Sequence, residues 1–171
     1  MRWALGCAAA VAGVWLASAG ARADTVIFAR SGQWDAFGGT SADGTPVCGI
    51  STSWDDGRYF GVKYYKGNDT VVIQLGSNDW RVRDGASQEV VFWIDDRSDW
   101  NGRAGGIHFT DNQAGLEFGI TRAQLSTFVA EFREGEELTF SFPNTTASNW
   151  VVGLRGTDSV MTSFANCIDA M

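Results

Sequence analysis

The chain has 171 residues, a formal net charge of −7, eight tryptophans, three cysteines and a single histidine. Its acidic balance repels nucleic acid and anionic lipid at long range, which argues against both as partners. One histidine and a distant cysteine pair cannot complete a usual zinc site, and they leave little for histidine-assisted nucleophilic catalysis.

In chain order the first element is a leader. Met1-Arg2 supply a positive start, Ala4–Leu16 an apolar core, and Ala21-Arg22-Ala23 a small-residue cleavage site before Asp24. The pattern predicts a signal peptide over residues 1–23, cut near Ala23, and a single β-rich domain over residues 24–171. A cut after Ala19 fits the same rule and changes little. The apolar run falls short of the roughly 20 residues a membrane span requires, and no later run is long enough, so no membrane span is expected. Leu5-Gly6-Cys7 resembles the end of a lipobox, but only six residues precede the cysteine, too few for a charged region and a core. Removing the leader leaves 148 residues with 11 basic against 20 acidic side chains, a net charge of −9. A periplasmic or secreted location follows.

Cys48 and Cys167 remain. An even count in an exported chain reads as a disulfide, with two free thiols or a metal pair as the alternatives. The loop it would close is about 120 residues, for which the chain-entropy model gives roughly 4–5 kcal/mol.

Short apolar runs separated by Gly, Asn and Asp clusters predict strands at Thr25–Arg30, Trp34–Gly38, Pro46–Ser51, Tyr59–Tyr65, Thr70–Leu75, Glu89–Asp95, Gly105–Thr110, Gly115–Ile120, Glu137–Phe142 and Asn149–Leu154. Alternation puts Tyr59, Gly61, Lys63 and Tyr65 on the opposite face from Phe60, Val62 and Tyr64. Lys66-Gly67-Asn68-Asp69 reads as a hairpin, and Asn101-Gly102 as a second turn. Two segments break the β pattern. Thr121–Arg133 sets Leu125, Phe128, Val129 and Phe132 at helical spacing, with Thr121 as N-cap and Gly135 as terminator. Thr157–Ala170 places Val160, Met161, Phe164 and Ile168 on one face, with Cys167 beside it. The expected fold is mainly β: an antiparallel β-sandwich, or flattened barrel, with one inserted helix and a C-terminal helix.

Few groups suggest chemistry. His108 lies within a predicted strand, and no serine stands in G-x-S-x-G. Asp95, Asp99 and Asn101 place oxygens at the spacing of a calcium loop, the one metal the chain suggests, although Arg97 occupies a ligand position and no glutamate follows. A calcium site there competes with a plain Asp/Asn/Gly-rich connection. Glu89, Asp95, Glu117 and Glu131 are the carboxylates from which a glycosidase pair would have to come. Trp93 and Trp150 alternate with apolar neighbours as core residues do. Trp54 and Trp100 adjoin Asp-rich turns and are the candidates for exposed sugar-stacking rings.

The order of features carries a family resemblance. Gln33-Trp34-Asp35-Ala36-Phe37 precedes a cysteine strand, Val47-Cys48-Gly49-Ile50. After the inserted helix come Leu138-Thr139-Phe140-Ser141-Phe142 and Trp150-Val151-Val152-Gly153-Leu154-Arg155-Gly156, then the closing helix. Over residues 33–168 this resembles the invasion-associated locus B family of bacterial exported proteins. The resemblance implies a β-rich exported protein with no established enzymatic activity. That family commonly carries further cysteines in its middle region, where this chain has the Asp95–Gly102 segment.

The first functional expectation is therefore an exported non-enzymatic β-sandwich acting through its surface on a partner protein or the cell envelope. The second is a carbohydrate-binding module using Trp54 and Trp100. The third is a periplasmic inhibitor or immunity protein against a hydrolase, which suits an acidic, disulfide-tied domain of this size. No catalytic residue and no cofactor other than calcium is expected.

Overall fold

A computed structural model describes residues 24–97 and 99–171. The expected leader, residues 1–23, lies outside the described residues, as does Ser98.

Ten strands and two helices follow one another: β1 (Asp24–Ser31), β2 (Trp34–Thr40), β3 (Pro46–Ser53), β4 (Tyr59–Tyr65), β5 (Thr70–Ser77), β6 (Ser87–Ile94), β7 (Trp100–Thr110), β8 (Gln113–Thr121), α1 (Arg122–Glu134), β9 (Glu137–Ser141), β10 (Trp150–Gly153) and α2 (Thr157–Asp169). Every expected element is present. All ten strands belong to one antiparallel sheet in the order β1-β2-β3-β4-β5-β8-β7-β6-β9-β10, which does not close.

The sheet coils because one of its faces has to be buried. Phe60 of β4 and Phe140 of β9 lie five places apart in strand order, yet their ring centroids are 5.9 Å apart. The strands from β2 to β10 thus turn one face inward, as the facing layers of a sandwich do. Period-2 alternation fills that face: Phe60, Val62 and Tyr64 of β4, Ile73 and Leu75 of β5, and Leu116 and Phe118 of β8 are all buried. Full burial of side chains of this size stabilises by about 1.5–3 kcal/mol each.

The helices close the open side of this core. α1 starts at Thr121, whose N–H donates to Gln124 Oε1 at 3.2 Å, and buries Phe128 and Phe132 against Trp34, Phe60 and Phe92. α2 packs on β1, β2, β3 and α1, burying Val160, Met161 and Phe164. The Thr157 hydroxyl donates to the Phe132 carbonyl at 2.8 Å, which joins the start of α2 to the end of α1. A Cys48–Cys167 disulfide then fastens α2 to β3, with Cα atoms 6.0 Å apart.

Two local expectations are corrected. Asn101-Gly102 is not a turn, because both residues lie in β7 and pair with Val91 and Val90. The chain reverses earlier, where Asp95 adopts a left-handed φ of 52° and the Arg97 N–H donates to the Ile94 carbonyl at 3.1 Å. Ladder pairing over a long strand outweighs the turn preference of one dipeptide. Trp93 is half-buried rather than core: it pairs with Thr139 on the face opposite Phe92 and Ile94.

Candidate functional site

The inner face is filled, so any site has to be sought on the outer face, in the loops or at the edges. The outer faces of β4, β5 and β8 differ from the exterior of most antiparallel sheets. Register sets Ser51, Gly61, Gln74, Glu117 and Gly105 side by side across β3, β4, β5, β8 and β7. One step along β4 stand Lys63 and then Tyr65; in the other direction stands Tyr59, opposite Gly76, which in turn faces Gly115. Glycine inside a strand weakens it by about 0.5–1 kcal/mol and marks places where something lies close to the backbone.

Here aromatic rings lie over the glycines. A Cβ on Gly61 would strike the Tyr59 hydroxyl, and one on Gly76 or Gly115 would strike the Phe109 ring. Tyr59 and Phe109 meet edge to face with centroids 5.1 Å apart.

In the next row of the same face is a polar centre. Gln74 is only 6% exposed, and its Nε2 donates to Glu117 Oε2 at 2.5 Å. Its Oε1 is buried, with no hydrogen-bond partner among the described residues. The Lys63 ammonium lies 5.8 Å from the Tyr59 ring centroid and forms no ion pair among the described residues. Burial lowers the Lys63 pKa below its ordinary value, against the opposing pull of Glu117. Burial raises the Tyr65 pKa, helped by the negative charges of Glu117 and Asp43. Tyr59 is raised further, again chiefly by burial and then by Tyr65, while a hydrogen bond with Ser51 pulls it back. The cluster therefore presents a desolvated ammonium, a carboxylate and an unpaired amide oxygen beside aromatic rings. Such a set can accept and donate hydrogen bonds to a polar ligand while its rings cover apolar surface.

The residues singled out in the sequence are dispersed. Trp54 is half-buried, with its ring 6.0 Å from Trp150 and the Arg58 guanidinium 4.9 Å above it. Trp100 stacks on Phe92 at 5.6 Å, and its Nε1 donates to Glu131 Oε2 at 2.9 Å. The two are not ring neighbours: they lie at opposite ends of one run of rings, Trp54–Trp150–Phe140–Phe92–Trp100. Trp150 is buried, as expected. It extends a chain of rings through Trp80 to Phe142, beside a cleft of about 280 Å³ lined by Trp80, Val82, Leu116 and Phe142.

Asp95 accepts the Glu136 and Glu137 backbone N–H groups at 3.1 and 2.9 Å, so its carboxylate holds the β9 end of the sheet. Asp99 is exposed, and Asn101 stands in β7 opposite Val91. Among the described residues no three His, Cys, Asp or Glu side chains are grouped to hold a metal ion. Of the four carboxylates considered as a glycosidase pair, Glu117 accepts from Gln74, Glu131 from Trp100 and Glu89 from Asn144 at 3.4 Å. Asp95 is bonded to backbone amides, so no two of the four share a partner. His108 is exposed, its Nδ1 2.6 Å from Asp84 Oδ1.

Sequence reasoning missed the polar centre, because Lys63, Gln74 and Glu117 come from three strands that pair only in the folded sheet. The available signal was glycine recurring on one face: Gly61 in β4, Gly76 in β5, and Gly115 and Gly119 in β8.

Taken together, the chain has an open, coiled antiparallel sheet with one inserted and one C-terminal helix, and a polar centre on the sheet's outer face. Among solved structures it is similar to the crystal structure of invasion associated protein B from Bartonella henselae, with a TM-score of 0.59 over 83% of this chain and 97% of that one. Sequence identity is 15%, so the likeness is one of fold. No family model and no curated protein matches the chain. Among the described residues no helix is long and apolar enough to cross a membrane.

Proposed function

We propose that this chain is an exported, non-enzymatic protein that binds a partner protein or an envelope component through the outer face of β4, β5 and β8. The observation that carries the reading is Gln74 Oε1, buried and without a hydrogen-bond partner among the described residues, on the same outer face as the half-buried Lys63. A buried acceptor without a partner costs about 1–3 kcal/mol, which a donor from a bound partner would recover; Trp34 Nε1, Thr52 Oγ1 and Trp150 Nε1 are likewise unpaired among the described residues, but only Gln74 lies in a row with a carboxylate, Glu117. Export is supported by the leader pattern and by the Cys48–Cys167 bond, which persists in oxidising compartments. The fold likeness to an invasion associated protein is compatible with both. The separate engagements of Glu89, Asp95, Glu117 and Glu131 favour binding over hydrolysis.

Photocrosslinking in cells tests the reading. With Tyr65→p-benzoylphenylalanine, illumination is expected to give one discrete adduct, lost when Lys63→Ala and Glu117→Ala are added. No adduct, or one indifferent to those changes, contradicts it.

A second reading, a carbohydrate-binding module, is favoured by the rings of Tyr59, Tyr65 and Phe109 standing beside hydrogen-bonding groups. Calorimetric titration with a panel of envelope and plant polysaccharides should then give heat that Glu117→Ala abolishes. Silence across the panel removes this second reading alone.

A further inference from the structure

The cleft of about 280 Å³ beside Trp80 lies at one end of the core, between the β5–β6 connection and the β9–β10 connection. Its floor belongs to the core: Leu116 and Phe142 are buried, and Trp80 and Val82 pack against them from the rim. The Trp80 ring is held from two sides, edge to face on Phe142 at 5.6 Å and tilted against Trp150 at 5.8 Å. Drug-sized ligands occupy roughly 300–1,000 Å³, so this cleft suits a smaller apolar group.

Most polar side chains around its mouth are already engaged. The Thr145 hydroxyl donates to the Phe142 carbonyl at 2.8 Å, and the Ser87 hydroxyl oxygen accepts from Arg103 Nη1 at 3.0 Å. Gln88 Nε2 donates to the Glu89 and Pro143 carbonyls at 2.9 and 3.2 Å. Two charged side chains remain on the lining, Asp79 and Arg81. They stand two residues apart, yet among the described residues neither forms an ion pair with the other or with any third group. Arg81 Nη1 donates to the Asn78 and Trp80 carbonyls at 2.9 and 2.8 Å. These neutral acceptors fix the guanidinium without compensating its charge, and its other N–H groups have no partner among the described residues.

We propose that this cleft binds a large apolar α-amino acid as its zwitterion. The side chain enters between Trp80, Val82, Leu116 and Phe142, the carboxylate takes the free N–H groups of Arg81, and the ammonium donates to Asp79. Each part of the ligand answers one of the observations. A purely apolar occupant would leave both charges unused, an anion would sit against Asp79, and a cation would sit against Arg81. A peptide carries its two terminal charges at opposite ends, whereas a free amino acid holds them on one carbon beside the apolar group. Arg81 also lines a polar hollow on the other side of Trp80, shared with His108 and Asn112. The charged end of the ligand therefore stays on a polar, hydrated surface, and only the apolar end is desolvated.

Calorimetric titration of the protein, recovered after expression of the full chain, with L-phenylalanine and L-leucine tests the site. Saturable heat from one site per chain is expected with both, and none with L-alanine, whose methyl group leaves the cleft unfilled. Phenethylamine lacks the carboxylate and N-acetylphenylalanine lacks the ammonium, so each should bind at least about tenfold more weakly than phenylalanine. Arg81→Gln should weaken phenylalanine by about tenfold without weakening phenethylamine, and Asp79→Asn should weaken it similarly without weakening N-acetylphenylalanine. Ala147 is exposed on the wall of the cleft, so Ala147→Trp should block binding while circular dichroism stays unchanged. No saturable heat from either amino acid overturns the proposal. Phenethylamine binding as tightly as phenylalanine, or undiminished binding by Ala147→Trp, overturns it too. None of Lys63, Gln74 and Glu117 lines this cleft, so its failure is distinguishable from failure of the outer face.

Discussion

Alternate residues of β4, β5 and β8 make the two faces of the middle of the sheet, and the two faces follow different rules. Inward, Phe60, Val62, Ile73, Leu75, Leu116 and Phe118 pack against one another and against the helices. Outward, the same strands carry Gly61, Gly76, Gly115 and Gly119, with Lys63, Gln74 and Glu117 among them. Strand glycines, a half-buried ammonium and an unpaired amide oxygen each cost stability. They persist because the inner face, the helices and the disulfide supply enough to offset them. Local rules tend to be broken where a protein meets something else, and here the breaks are gathered on one face.

The largest effect is expected on the inner face. Phe60 touches Trp34, Phe132 and Phe140, so Phe60→Ala should lower unfolding stability by about 3–5 kcal/mol, read from a denaturant midpoint. A loss below 1 kcal/mol would mean that the core is not where the packing puts it. The disulfide comes next. Cys48→Ser and Cys167→Ser should each destabilise by about 2–5 kcal/mol and by equal amounts, because either one opens the same loop. Unequal losses, or both thiols alkylated in native protein, would contradict this.

Alkaline titration sharpens the contrast between faces, since the shifted groups lie outward. The folded-state pKa of Tyr59 is raised, so its contribution is complete below the unfolded value near 10 and drains as pH climbs toward the folded value. Lys63 has the opposite sign: its folded pKa is lowered, so its penalty is present at neutral pH and fades as pH approaches the unfolded value of 10.5. Tyr59→Phe should therefore flatten the fall in stability above pH 10, and Lys63→Met should raise the melting midpoint at pH 7 and lose that advantage above pH 10.5. Unchanged alkaline melting curves for both variants would show that neither group is desolvated.

The inner face was legible in the sequence almost entirely. Short apolar runs, several of them alternating, located all ten strands although the first half of β7 was read as a turn; the spacing of Leu125, Phe128 and Phe132 located α1, and counting the cysteines beyond the expected leader gave the Cys48–Cys167 pair. These signals are local or are simple counts. The strand order β5-β8-β7-β6-β9 was not legible, because it depends on pairings between distant segments. The outer site depends on that order: Gln74 meets Glu117 only once β5 lies beside β8. Tryptophan exposure was misjudged for a related reason. Trp54 and Trp100 adjoin polar turns in sequence, but the coiled sheet brings Trp150 to one and Phe92 to the other.

The most direct test of the outer face as a binding surface is Gln74→Leu, measured for its thermal midpoint and for its crosslink from residue 65 in the same cells. Leucine removes the unpaired acceptor but also the bond from Gln74 Nε2 to the Glu117 carboxylate, so the account predicts a nearly unchanged midpoint and loss of the adduct. A lower midpoint would show that Gln74 serves the fold, and an adduct formed in undiminished yield would show that the polar centre is not what the target meets.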